Sequence, residues 1–193
     1  IVVPDRCRQV AETAQRSRVF GICANLYTVC SNRNWGVGDF GDLGQLLAWA
    51  CGRGAAFVGL NPLHAILNQG HAISPYSPVS RLYRNPLYID VTAVPEFARC
   101  RVAKQRFAEG EFQAALSRCQ RSERVEYSQV LTLKMSVLRL LFAEFEAARG
   151  EPGRSRRAEF ESYAVAHGDE LQNFATFMAM ADSFREYDAP ASW

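Results

Sequence analysis

Between His71 and Asp90 the chain gathers three serine hydroxyls (Ser74, Ser77, Ser80), three tyrosines (Tyr76, Tyr83, Tyr88), two arginines (Arg81, Arg84) and Asn85. Pro75, Pro78 and Pro86 stiffen the backbone between them. A stiff loop with aromatic faces beside short hydrogen-bonding groups suits a sugar. The C–H face of the ring stacks on an aromatic side chain, while hydroxyls, Asn and Asp read its OH groups. The same residues also suit a plain structural loop in which Pro and Ser make turns and the tyrosines pack. Composition alone does not separate these two readings.

A second cluster runs from Asn32 to Asp42, Asn-Arg-Asn-Trp-Gly-Val-Gly-Asp-Phe-Gly-Asp. Gly36, Gly38 and Gly41 satisfy the G-x-G-x-x-G spacing of a dinucleotide loop. The context is poor, because the preceding strand ends well before Gly36. The following strand also closes on Asn61 where a ribose-binding acid belongs. Asp42 reads as a helix cap. Retaining glycosyl chemistry needs two carboxyl groups about 5 Å apart. Between Val19 and Phe97 the carboxylates are Asp39, Asp42, Asp90 and Glu96, and no pair stands out. There is no G-x-S-x-G and no Cys/His dyad. The six cysteines (7, 23, 30, 51, 100 and 119) form no C-x-x-C, and His64, His71 and His167 are too dispersed for a metal site. The residues describe a binding wall without a catalytic pair.

The elements that must position this wall follow from patterning. Val19–Val29 is a mostly apolar run of strand length, followed by the glycine-rich turn. Leu43, Leu46, Leu47 and Ala50 then repeat at the spacing of one buried helix face, which Gly52 and Gly54 end. Ala55–Leu60 reads as a short buried strand. Strand, helix and strand in this order make a βαβ unit with parallel strands, whose carboxyl ends are where α/β folds place their sites. Most prolines and glycines precede Phe97, and beyond it the chain reads as helices. Short ones are expected over Glu96–Ala108 and Glu111–Cys119. A long one runs over Tyr127–Arg149, carrying Val130, Leu131, Lys134, Leu138 and Leu141 on its period. Two more follow, one capped by Ser155 and ended by Gly168, the next capped by Asp169. Their aromatic stripes, Phe160 with Tyr163 and Phe174 with Phe177, read as core.

The chain has 193 residues, 48% of them hydrophobic, with 22 basic and 20 acidic side chains. That composition belongs to a folded protein with a real core, not a disordered one. A net charge of +2, with the arginines scattered among glutamates, argues against a nucleic-acid or membrane-surface partner. Apolar runs such as Val137–Phe145 are too short to cross a bilayer, and no basic stretch followed by an apolar one opens the sequence, so nothing argues for secretion. The expected compartment is the cytoplasm, with reduced cysteines. Ile1 and Trp193 do not look like natural ends, and a piece of a longer protein is expected.

Four blocks, Asn34–Leu43, Gly59–His64 (Gly-Leu-Asn-Pro-Leu-His), Ser74–Pro78 (Ser-Pro-Tyr-Ser-Pro) and Asn85–Asp90 (Asn-Pro-Leu-Tyr-Ile-Asp), resemble in order and spacing the 4-alpha-glucanotransferases. These are also called amylomaltases or disproportionating enzymes and form glycoside hydrolase family 77. The later stretches Tyr127–Lys134 and Leu171–Ala181 agree, and the resemblance covers Val19–Trp193. It implies an α/β protein holding the first two strands of a TIM (β/α)8 barrel, with a helical subdomain inserted before the third. The expected division is 1–18 as a lead-in, 19–95 as the first βαβ with its substrate loop, and 96–193 as the helical subdomain.

The resemblance also implies an activity. Such an enzyme moves a 1,4-alpha-glucan segment onto the 4-OH of glucose or another glucan, through a covalent intermediate, with retention and no cofactor or metal. Its catalytic carboxylates are expected beyond Trp193, so no catalytic residue is assigned here. Ser74 and Tyr76 look like sugar contacts, and Asn85 and Tyr88 like residues shaping the loop. Trp35, Asp39, Asn61 and His64 are expected at strand ends facing the same cleft. Malto-oligosaccharides or starch-derived glucans are the implied partners, with self-association through an unclosed barrel edge. Family members commonly carry Ser-Ser where this chain has Val79-Ser80, which weakens any contact assigned to Val79. Two other readings stand beside this one: a stand-alone, non-catalytic glucan-binding or regulatory module, and a nucleotide-binding α/β protein using the three glycines.

Overall fold

The computed structural model describes residues 18–68, 73–148, 150 and 153–186. The lead-in 1–18, except for Arg18, lies outside the described residues, as do Cys7 and His71. The elements in order are β1 (Gly21–Ala24), α1 (Phe40–Gly52), β2 (Phe57–Leu60), β3 (His64–Ala65) and β4 (Ser80–Arg84). They continue with α2 (Arg101–Ala108), α3 (Gly110–Arg121), α4 (Tyr127–Ala147) and α5 (Gly153–Glu186). Short 3₁₀ turns cover Leu26–Thr28, Pro86–Tyr88, Val91–Ala93 and Pro95–Ala98. The chain is mixed α/β and divides into two compact units, Ile1–Leu141 and Phe142–Trp193.

In the first unit β1 and β2 pair in parallel, Gly21 with Phe57 through Ala24 with Leu60, as the βαβ reading requires. The first strand is much shorter than the apolar run Val19–Val29. It stops at Ala24, because the Leu26 N–H leaves the ladder for the Asn61 side chain and the chain turns into a 3₁₀ helix. β2 is half-buried, with Phe57 exposed, since two strands alone cannot cover a sheet face. For the same reason α1 departs from its pattern. Ala50 is buried and Leu43 and Leu46 half-buried, but Leu47 and Trp49 stay exposed.

The cap of α1 is Asp39, not Asp42. The Asp39 carboxylate accepts from Gly41 N at 2.9 Å and Asp42 N at 3.1 Å, and Asp42 at N3 accepts from Asp39 N at 3.1 Å. This reciprocal box satisfies three of the orphan donors at the start of the helix, the N–H groups of Asp39, Gly41 and Asp42. The stretch read as one loop from His71 to Asp90 contains a strand, β4, which pairs antiparallel with β3, His64 opposite Arg84 and Ala65 opposite Ser80.

The core draws on both sides of the expected boundary near residue 95. Trp35, Val37, Leu87 and Val91 pack with Phe112, Val130 and Val137. Trp35 stacks on Phe107 at 5.5 Å and meets the edge of Phe112 at 5.4 Å. The helices α2, α3 and the first part of α4 therefore close the core that the βαβ residues begin, and the packing divides only at Leu141.

In the second unit Phe142, Phe145 and Phe160 form a ring cluster, with the Arg157 guanidinium 5.5 Å over Phe145. The two expected helices meet at Gly168, whose φ of 45° and ψ of −130° break α5 there. Their aromatic stripes were read as core, yet Phe160, Tyr163 and Phe177 are exposed along the helix.

Candidate functional site

Parallel strands leave their last carbonyls and the following turns at one edge, and here that edge is a groove. Cys23, Ala24 and Asn25 from the end of β1, and Gly59, Leu60 and Asn61 from the end of β2, line an open cavity of about 370 Å³. Tyr76, from the β3–β4 connection, completes the wall with its side chain 68% exposed. An aromatic face, amides and peptide edges converge on one depression, and among the described residues no carboxylate lines it.

The connection holds Tyr76 by local chemistry. The Tyr76 N–H donates to Ser74 Oγ at 3.4 Å, and Ser77 N donates to the Ser74 carbonyl at 3.1 Å. Val79 N binds the Ala65 carbonyl at 2.8 Å and Asn85 N the Leu63 carbonyl at 3.0 Å, so the segment is laced to β3 at its return. Below it, Asn68 and Asn85 pair their amides reciprocally, at 2.9 and 2.8 Å, both fully buried. Asn68 adopts φ 57°, a left-handed conformation that Asn tolerates better than most residues. Asn85 Oδ1 also accepts from Leu87 N at 3.0 Å, starting the next turn.

Asn61 is a brace. Its Oδ1 accepts from Leu26 N at 2.7 Å, while Nδ2 donates to the Pro62 carbonyl at 2.8 Å and to Tyr88 Oη at 3.1 Å. It thereby ties the end of β2 to the turn after β1 and to the Asn85–Asp90 block. Burial pushes the Tyr88 hydroxyl above its ordinary pKa, against the Asn61 hydrogen bond.

Behind the groove lies a separate, buried polar cluster. Asn34 Nδ2 donates to Asp42 Oδ2 at 2.8 Å, and Arg33 pairs with Asp42 at 3.3 Å and with Asp90 at 3.1 Å. Burial raises the Asp39 carboxyl above its usual value, against the pull of the Asp42 N–H and of Lys134. Burial also acts on Asp90, but hydrogen bonds from Thr92, Ala93 N and Arg33 outweigh it and leave Asp90 below its usual range. Lys134 on α4 is fully buried; desolvation lowers it to about 8 despite the attraction of Asp39, Asp90 and Asp42.

The predicted site residues thus separate. Tyr76 and Asn61 meet at the groove, with Ser74 beside Tyr76. His64 sits half-buried on β3, its Nδ1 3.5 Å from an Arg84 guanidinium nitrogen. Trp35 is 3% exposed and sandwiched in the core, leaving no ring face for a cleft. Asp39 is spent on the α1 cap, and Asn85 on the buried amide pair. Sequence reasoning missed Cys23 and Asn25, whose only signal is a place at a strand end. It also missed Asn68, whose place in the buried amide pair depends on a partner 17 positions away. Lys134 was visible as the one cation on the apolar period of α4, and its role was not drawn.

The three glycines spaced like a dinucleotide loop face protein. A Cβ on Gly36, at φ +91°, would meet the Cys119 carbonyl at 2.7 Å; one on Gly38 would meet the Leu26 carbonyl at 2.0 Å. At Gly41 it would strike Asp90 Oδ2 at 2.4 Å, inside the Arg33 ion pair. The spacing serves close packing, with no face turned toward a pyrophosphate.

A family profile described as 4-alpha-glucanotransferase matches residues 24–193. A 4-alpha-glucanotransferase of Haemophilus influenzae is 38% identical over 161 residues, covering 81% of this chain and 23% of that protein. One from Mycobacterium tuberculosis is 32% identical over 196 residues, covering 95% of this chain and 25% of its own length. The crystal structure of amylomaltase from Corynebacterium glutamicum superimposes with a TM-score of 0.76 at 30% identity, over 95% of this chain and 25% of that one. The chain spans about a quarter of the length of these relatives. The profile match over most of the chain and the 38% identity to a curated relative show that the chain belongs to the 4-alpha-glucanotransferase family.

Proposed function

We propose that this chain supplies part of the sugar-binding wall of a 4-alpha-glucanotransferase acting on malto-oligosaccharides or starch-derived glucans in the cytoplasm. The enzyme would transfer 1,4-glucan segments to the 4-OH of glucose or another glucan with retention. β1, α1 and β2 would be the first βαβ of a (β/α)8 barrel, and the helices from residue 96 onward its inserted subdomain. The observation that carries the reading is the groove itself, lined by the ends of two parallel strands and overhung by the exposed ring of Tyr76. Strand carboxyl ends are where barrel enzymes place their sites.

In this reading a glucose ring stacks on Tyr76, the Ser74 hydroxyl donates to a sugar oxygen, and His64 stands farther along the rim. Asn61 and Asn85 hold that wall in place, while Asp39 and Trp35 support it from behind. No carboxylate among the groove-lining residues is available as nucleophile or acid/base, so the catalytic pair would come from polypeptide beyond these residues. The exposed Leu47, Trp49 and Phe57 would meet further barrel elements or, in the isolated chain, a second copy. No helix among the described residues is long and apolar enough to cross a membrane.

Tyr76→Ala in a full-length enzyme carrying this chain tests the site. Maltotriose disproportionation should fall at least tenfold in kcat/KM, with the unfolding midpoint unchanged. Unaltered transfer kinetics would remove Tyr76 from the site. The acid-free groove also fits a second reading, a glucan-binding module without catalysis. Reading the gene past the codon for Trp193 separates the two. An open frame long enough to complete a barrel, on the order of 250 residues, supports the enzyme, and a stop codon supports the module.

A further inference from the structure

Among the helix residues that reach the frame of the groove is a buried lysine. Lys134 lies on α4 among Val130, Leu133 and Val137, with no exposed surface. Its Nζ donates to the carbonyl of Leu87 at 2.7 Å and to that of Ile89 at 2.8 Å. These carbonyls flank Tyr88, whose Oη accepts from Asn61, and Asn61 in turn holds the Leu26 N–H. A continuous polar path therefore leads from α4 to the ends of β1 and β2. Burying an ammonium is expensive, and a methionine of similar length would fill the same space. What the lysine adds is two donors aimed at the carbonyls on either side of Tyr88.

We propose that Lys134 is a positioning residue for the groove. By gripping the backbone on both sides of Tyr88 it seats Asn61 at the strand ends and fixes the return of the segment that carries Tyr76. The glucan part of this inference rests on the function proposed above; the grip on the turn does not.

Three carboxylates act on Lys134, Asp39 before α1, Asp42 within it and Asp90 after the turn, and Arg33 is paired with the last two. The anchored lysine titrates at about 8, whereas a lysine released to water returns to its ordinary 10.5. Above pH 8 the anchored state therefore binds fewer protons than the released state, and rising pH favours anchoring.

The test uses a full-length enzyme carrying this chain and its Lys134→Met variant, with maltoheptaose as probe and tryptic cleavage after Arg84 as the measure of release. Cleavage is read by mass spectrometry and normalised to a free peptide at each pH. The variant should keep its helical circular dichroism, be cut after Arg84 at least tenfold faster, and bind maltoheptaose at least tenfold more weakly. Cleavage of the native chain should slow roughly tenfold between pH 7.5 and 9.5, while the variant stays flat. Equal cleavage rates, an unchanged affinity in the folded variant, or a flat native profile would each overturn the assignment. If the variant does not fold, the native pH series decides. A native chain that binds no maltoheptaose at any pH defeats the glucan reading, and cleavage still decides the role of Lys134.

Discussion

The groove and the polar cluster behind it are built from opposite materials. The groove is walled by Cys23, Ala24, Asn25, Gly59 and Leu60, residues with little chemistry of their own, plus Tyr76 and the brace Asn61. The cluster holds Arg33, Asn34, Asp39, Asp42, Asp90 and Lys134, the residues a reader would first suspect of catalysis, and it is mostly buried and internally satisfied. The contrast shows that dense polar chemistry in a sequence block can be scaffolding. A binding wall can be made of strand ends that the scaffold holds open.

Substitutions in the two regions sharpen or break that contrast. The largest expected effect is at Gly38, where a Cβ would lie 2.0 Å from the Leu26 carbonyl. Gly38→Ala should cost about 3 kcal/mol, read as a lower urea midpoint; a neutral substitution would show that this turn is slack. Next, Asn61→Ala removes the partner of the buried Leu26 N–H and of Tyr88 Oη. It should cost about 2 kcal/mol and weaken glucan binding as well, because the brace belongs to both regions. Tyr76→Ala, already described, should do the reverse and lower binding while sparing stability.

The smallest effect belongs to Asp90. Its folded pKa lies below the ordinary 3.8, so its stabilisation is present above that pH and is lost as pH falls below it. Arg33 is 43% exposed, which limits the ion pair to about 1 kcal/mol or less. Asp90→Asn should lower stability slightly at pH 7 and flatten the acid limb below pH 4. An unchanged acid limb would place the acid sensitivity elsewhere.

Much of this molecule was legible in the residues. The βαβ order, the parallel pairing, the long helix starting at Tyr127 and the break at Gly168 all follow from period and breakers, which act through neighbours in sequence. The four linked blocks carried the family. The cap of α1 was misplaced because Asp39 and Asp42 are both competent, and only the direction of chain entry makes Asp39 the cap and Asp42 its N3 partner. The exposed faces of α1 and α5 escaped prediction because periodicity defines an apolar stripe without saying what covers it.

What the sequence by itself determined is the set of local elements and the family they belong to, since both are encoded in spacing along the chain. Only the tertiary structure decided which polar residues face the groove and which brace it. Asn61 reaches Leu26 across 35 positions, and Lys134 reaches Leu87 across 47. The hydrogen bonds that spend these side chains form between elements distant in sequence, so no local pattern marks a residue as brace or as wall.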